Sequence, residues 1–163
     1  MANVEDCESI AKISINSWKK TYKGIIDCKF LDKLDHENKK LKYIDRIKNK
    51  EKILVICNDV NDVKGFCWFG NSNDNNKDTD GEIYAIYLDN DSIGKGYGSM
   101  LFDSAITILN TENKKNIIIW CLNGNFIAKN FYLYKKCYFY ANKKIIIGNQ
   151  ELLENSYIYH IIN

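Results

Sequence analysis

Residues 86–102, IYLDNDSIGKGYGSMLF, set three glycines (Gly94, Gly96 and Gly98) between an apolar run ending at Leu88 and a helical spacing of Met100, Leu101, Ala105 and Ile108. Glycines between a strand and a helix can let successive backbone N–H groups converge on one anion. They allow positive φ and close approach, and the helix N-terminus adds partial positive charge. Two familiar phosphate loops fail on spacing. A mononucleotide loop needs lysine after its last glycine, but here Lys95 precedes Gly96 and Ser99 follows Gly98 directly. A dinucleotide fingerprint needs Gly-x-Gly-x-x-Gly and an acidic residue after the next strand. The third glycine comes one residue early, and the next strand closes with Cys121-Leu122-Asn123. The remaining choices are alternating glycines wrapped around a pyrophosphate, or a tight turn that only starts a helix.

Other chemistries find little support. The six cysteines, at 7, 28, 57, 67, 121 and 137, form no Cys-x-x-Cys pair, and Cys57, Cys67, Cys121 and Cys137 lie in apolar surroundings. They read as reduced, buried thiols. His36 and His160, the two histidines, are far apart with no ligand pattern beside either, so no metal is expected. A formal net charge of +2 does not call for nucleic acid. No run approaches the roughly eighteen apolar residues of a membrane span, and residues 1–20 carry charges throughout. A cytoplasmic protein with no membrane partner is expected, as monomer or homodimer.

The elements that must hold the loop follow from periodicity. At 163 residues the chain suits a single domain, 1–163. Residues 6–20 place Cys7, Ala11, Ile15 and Trp18 on one helical face, and 28–49 repeats the pattern with Phe30, Leu31, Leu34, Leu41, Ile44 and Ile47. Runs 52–57 and 63–70 read as a hairpin, and the polar stretch 71–81 as a mobile loop. A strand at 82–88 feeds the glycine loop and a helix to about 109. A strand at 116–122, apolar from Ile117, reads as buried on both faces. A short helix at 126–136 and strands at 138–147 and 155–162, joined by a turn at Gly148-Asn149, complete an α/β order.

GEIYAIYLDNDSIGKGYGSMLF resembles the acetyl-coenzyme A binding core of the GNAT superfamily of N-acetyltransferases. The family pattern Gln/Arg-x-x-Gly-x-Gly/Ala falls on Ile93-Gly94-Lys95-Gly96-Tyr97-Gly98, with Ile93 where a polar side chain is usual. Downstream, Asn125, Ala128 and Phe131-Tyr132 fall at the family's places without a gap, although Lys136 and Cys137 replace its glycine-containing turn. SWKKTYKGII with FLDKL resembles the helical start of a bacterial subgroup. The resemblance covers nearly the whole chain. It implies an α/β (α+β) fold with a mixed, mostly antiparallel central sheet flanked by helices and splayed between the strands at 82–88 and 116–122. The first strand is expected short or missing, since only Met1-Ala2-Asn3 could supply it.

The same resemblance implies an acetyl-CoA-dependent N-acetyltransferase acting on a primary amine of a small molecule or peptide by direct attack on the thioester. Acetyl-CoA is the cosubstrate and no metal is needed. A non-catalytic acyl-CoA-binding module of the same fold is the alternative. The coenzyme would lie along Ile86, Tyr87 and Leu88, over Ile93, Gly94, Lys95, Gly96, Tyr97, Gly98 and Ser99, and against Asn125 and Tyr132. Tyr132 is the implied general acid for the leaving thiolate. Glu82, eleven residues before Ile93, is the implied general base, or else a rim carboxylate that attracts a cationic acceptor. Trp18, Tyr22 and Glu82 are expected to border the acceptor.

Overall fold

The computed structural model describes residues 1–73 and 78–162. Helices α1 (Cys7–Thr21), α2 (Cys28–Asp32) and α3 (His36–Lys48) precede strands β1 (Lys52–Cys57), β2 (Val63–Asn71) and β3 (Gly81–Leu88). Helix α4 (Tyr97–Thr111), β4 (Asn116–Leu122), α5 (Phe126–Tyr134), β5 (Tyr138–Ile147) and β6 (Gln150–His160) follow. They build a six-stranded sheet in the order β1-β2-β3-β4-β6-β5. Every neighbour pair is antiparallel except β3 with β4. The centre of the polar loop read over 71–81, residues 74–77, lies outside the described residues. Among the described residues no helix is long and apolar enough to cross a membrane.

Amphipathic elements bury the two faces of the sheet. On one face α4 and α5 lay Leu101, Phe102, Ala105, Leu109 and Tyr132 on Cys67, Phe69, Ile83, Ile117, Ile119 and Tyr157. On the other, Cys7, Ile10, Ala11 and Ile13 of α1 and Tyr43 of α3 pack on Ile53 and Phe66. Each large apolar side chain removed from water contributes about 1.5–3 kcal/mol. A third cluster, Tyr22, Ile26, Leu31 and Leu122, joins the end of α1 and α2 to the end of β4.

The parallel pair is short. Gly81, Glu82 and Ile83 of β3 lie beside Ile117, Ile118 and Ile119 of β4, and there the pairing stops. A bulge in β3 between Ile83 and Ala85 changes the register against β2 at the same height. Such an extra residue bends its strand. The closed end of the wedge is pinned by Asp80, whose carboxylate accepts the N–H groups of Lys115 (2.8 Å) and Asn116 (2.9 Å). The Asp80 N–H in turn donates to the Asn116 carbonyl (3.1 Å).

Several expectations change in the folded chain. The periodic run 28–49 is two helices, because Asp35 leaves helical geometry and caps α3 by accepting the Asn38 N–H (2.7 Å). Leu41 is consequently 55 % exposed, while Tyr43 takes the core position. Strand β6 begins at Gln150 rather than 155, since its first half alternates exposed and covered residues instead of being continuously apolar. Two of the six thiols are not buried: Cys28 is exposed at the start of the short helix α2 and Cys57 at the end of an edge strand, whereas Cys7 is fully buried. The missing first strand is replaced by one bond, Ala2 N–H to the Ile53 carbonyl (2.7 Å), behind an Asn3–Asp6 capping box.

Because hydrogen bonds to a charged acceptor contribute about 1.5–3 kcal/mol each, Asp80→Ala is expected to lower unfolding free energy by at least about 2 kcal/mol. Urea denaturation of the variant measures it.

Candidate active site

The glycine loop is built by backbone geometry. After Leu88, the Asp89 N–H donates to the Lys64 carbonyl (2.8 Å). A single 3-10 turn, Asn90–Ser92, tucks Ser92 into the interior. Ile93 is extended, Gly94 has φ +82° and Gly96 has φ +84°. Only glycine adopts these left-handed values without cost. The first helical bond of α4 runs from Met100 N–H to the Gly96 carbonyl (3.1 Å), and no side chain caps the helix. The amides of Tyr97, Gly98 and Ser99 therefore head the helix without intrahelical acceptors, the usual condition for an anion site.

The Asp89–Lys64 bond also fixes the alternation along β2 and β3. Tyr87 turns its peptide groups toward β2, while Ile86 and Leu88 turn theirs away, into the wedge that β4 has left. The Leu88 carbonyl there accepts from Ser17 Oγ of α1 (3.0 Å). A cavity of about 370 Å³ fills the wedge. Its floor is Ile86, Tyr87 and Leu88, one end is the glycine loop, and its far wall is α5 with Asn125, Ala128, Phe131 and Tyr132.

Two polar groups inside it are held in known states. Tyr132 is 6 % exposed, and burial pushes its phenol well above the ordinary tyrosine value, helped by Cys121 and Tyr22 nearby. Its ionised form is disfavoured, so at neutral pH it is a proton donor. Asn125 Oδ1 caps α5 by accepting the Ala128 N–H (3.0 Å). Trp18 Nε1 donates to the Tyr87 hydroxyl (2.8 Å), and the Trp18 and Tyr22 rings meet edge to face at 5.1 Å. Trp18 thus ties α1 to β3 behind the cavity. Tyr87 is held neutral, chiefly by burial.

Of the residues singled out in the sequence, Ile86, Tyr87, Leu88, Ile93, Gly94, Gly96, Gly98, Ser99, Asn125 and Tyr132 line the cavity together. Lys95 and Tyr97 belong to the loop without lining it. Trp18 and Tyr22 stand behind the lining rather than in it. Glu82 is not brought there. Its carboxylate accepts the Asn73 N–H (2.9 Å) at the closed end of the wedge, five residues down the strand from Tyr87, a span of about 16 Å. Ser17, Thr21, Ile127, Phe131 and Tyr134 line the cavity without having been singled out for it. Tyr134 shares the cavity with Tyr132 although they are two residues apart, because it sits at the exposed mouth.

The fold corrects one statement about ligands. His36, without a neighbouring pattern in the sequence, meets Glu8 of α1 (3.4 Å) and Glu37 (3.6 Å). The Lys40 ammonium, 2.8 Å from Glu8, already occupies the cation's place beside them.

A mixed sheet that opens beside a glycine anion loop and a buried phenol defines an acyl-transfer architecture. The chain belongs to the acetyltransferase (GNAT) family, whose sequence profile matches residues 18–138. Among curated proteins, the uncharacterized N-acetyltransferase YuaI of Bacillus subtilis (strain 168) is 29 % identical over 124 residues, covering 76 % of this chain and 70 % of that one. Among solved structures, a ribosomal-protein-alanine N-acetyltransferase of Brucella melitensis superposes with TM-score 0.76 at 16 % identity, covering 98 % and 97 % of the two chains. The yncA protein of Salmonella typhimurium, solved with its cofactor acetyl-CoA, gives 0.74 at 18 % identity, covering 99 % and 92 %.

The glycines separate on geometry. A Cβ at Gly96 meets nothing within 4 Å yet stands at φ +84°, so Gly96→Ala is expected to cost roughly 1–2 kcal/mol of strain. Gly98 lies in the first helical turn with ordinary contacts of 3.6 Å or more. Gly98→Ala is expected to leave stability unchanged or raise it by up to about 1 kcal/mol. Paired urea titrations test the contrast.

Proposed function

We propose that this protein is an acetyl-CoA-dependent N-acetyltransferase that moves the acetyl group to a primary amine of a small molecule or peptide by direct attack on the thioester. One observation carries it: the uncapped amides at the head of α4 open onto a cavity that runs along β3, where β4 no longer pairs with it, to the buried phenol of Tyr132. An anion site, an extended channel with peptide partners and a proton donor are the three things a pantetheine thioester needs.

In this reading the amides of Gly96 to Ser99 bind the coenzyme's pyrophosphate, and Ile93 covers it with an apolar side chain. The peptide groups of Ile86 and Leu88 bind the pantetheine arm as a strand would, satisfying amides that otherwise lose water on burial. An N–H at the end of β3 polarises the thioester carbonyl, where negative charge develops as the amine attacks. The coenzyme thiol, with a pKa near the reference of about 8.5, leaves as a thiolate, and Tyr132 donates to it. The retained proton of Tyr132 is what separates this reading from a module that only binds acyl-CoA. Asn125 holds the start of α5 in place beside the arm. The Asn73 bond supports a structural part for Glu82 at the strand's end.

Acetyl-CoA is expected to raise the melting temperature, because it binds only the folded state, whereas ATP and NAD leave it unchanged. Gly96→Val sets a branched side chain on the loop at φ +84° and is expected to abolish that rise, whereas Gly98→Ala, a residue the family pattern admits at its place, is expected to keep it. Tyr132→Phe keeps the ring and removes the donor. Coenzyme binding is then expected to hold while kcat falls about 10²–10⁴-fold, the range for a lost general acid. Wild-type turnover in that variant makes Tyr132 a packing residue.

A further inference from the structure

Acetyl transfer needs the acceptor nitrogen unprotonated, and among the described residues no carboxylate lines the cavity. The coenzyme side of the wedge faces α4 and α5, so the acceptor must come over the face covered by α1 and α2. On that face, at the open end of the wedge, stands one half-buried carboxylate. Glu154 of β6 lies opposite Leu122, the last residue of β4, and opposite Lys143 of β5. Leu152, two residues earlier and on the same face, packs with Tyr22, Ile26, Leu31 and Leu122. The Glu154 side chain is 20 % exposed, and its charge acts on Tyr22 at the end of α1.

Its partner is unusual. The Lys143 ammonium is 3.9 Å from Glu154, at the outer limit of an ion pair, and sits 3.7 Å from the centre of the Trp120 ring. The neighbouring cross-strand pair, Lys144 with Glu151, closes to 2.8 Å although both are exposed. A lysine side chain thus occupies a slot with an aromatic face on one side and a carboxylate on the other, the recognition chemistry of an alkylammonium. Lys143 is about half exposed and free to leave toward solvent. Lys143 from β5, Tyr22 from α1 and Cys121 from β4 are the titratable groups around Glu154. Burial raises its carboxyl above the ordinary range and Lys143 partly offsets this, which moves it toward the value a base needs.

We propose that Glu154 is the acceptor's carboxylate: it binds an alkylammonium in the slot that Lys143 marks, over Trp120, and takes the proton that frees the nitrogen. The proposal rests on the N-acetyltransferase reading above. One ammonium proton passes to Glu154, and the nitrogen lone pair forms the C–N bond at the thioester carbonyl. The C–S bond breaks with its electron pair on sulfur. Sulfur takes the Tyr132 proton, and the second proton of the attacking nitrogen restores Tyr132. The products are the amide, the free thiol and one proton carried away from Glu154 by water.

The test uses butylamine, spermidine and a lysine-containing peptide as probes on protein saturated with coenzyme A, by titration calorimetry, with butanol as the uncharged control. Coenzyme binding is measured first, and its absence sinks the acetyltransferase reading itself. With coenzyme bound, at least one amine is expected to bind and butanol not. Glu154→Gln should weaken that binding by roughly tenfold or more, as loss of a charge-assisted contact does, and Glu151→Gln should not. Lys143→Ala, which empties the slot, should tighten it. With acetyl-CoA and the amine that binds, thiol release should fall at low pH through the raised Glu154 carboxyl. That acid limb should vanish in Glu154→Gln. Failure of every amine to bind, equal binding by Glu154→Gln, or loss of the acid limb in Glu82→Gln instead overturns the proposal.

Discussion

The structure depends on two strands that start together and then part. Gly81 to Ile83 pair with Ile117 to Ile119, and beyond them β3 and β4 diverge. Backbone N–H and C=O groups are obligatory hydrogen-bonding groups, and leaving one buried and unmet costs about 1–3 kcal/mol. The wedge therefore holds stored demand for partners along Ile86 and Leu88. Ser17 meets it at the Leu88 carbonyl, and the rest faces the cavity. An extended molecule with its own amides can complete such a strand.

Keeping the wedge open takes work at both ends. Asp80 binds β4 to β3 at the closed end through three peptide N–H bonds in all, its own included. At the open end, the cluster around Tyr22 and Leu122 fills space that a continued ladder would have closed. The bond from Trp18 Nε1 to the Tyr87 hydroxyl ties α1 to β3 beside the gap. That hydroxyl is buried and neutral, so the tie holds its geometry without the desolvation cost of ions.

Local chemistry was legible in the sequence and long-range placement was not. Gly94, Gly96 and Gly98 announce a left-handed turn into a helix because their spacing acts within a few residues of chain. The strands at 116–122 and 138–147 announce themselves through the β-branched and aromatic residues of NIIIWCL and YFYANKKIII. Ser17 gives no such signal, since its partner Leu88 is 71 residues away. Glu154 was equally silent: which face of β6 it occupies depends on a register set by the whole hairpin. Glu82 was conspicuous for the opposite reason, its position in a linear pattern, whereas its actual neighbour is Asn73. Helical periodicity carried straight through Leu34 and Asp35 because it counts apolar residues and ignores a capping carboxylate.

The single bond from Ala2 to Ile53 leaves most of the outer margin of β1 without a neighbour. The Ile53 carbonyl points outward to meet Ala2, so by alternation Val55 and Cys57 also present peptide groups to solvent. Exposed strand margins invite another chain to add on and so threaten solubility. Here the margin is six residues long, begins at Lys52, and is interrupted by a bulge at the Ile56–Cys57 step. A short, charged and twisted margin is a poor template. The margin of β1 thus stays open without becoming a seed for edge-to-edge aggregation.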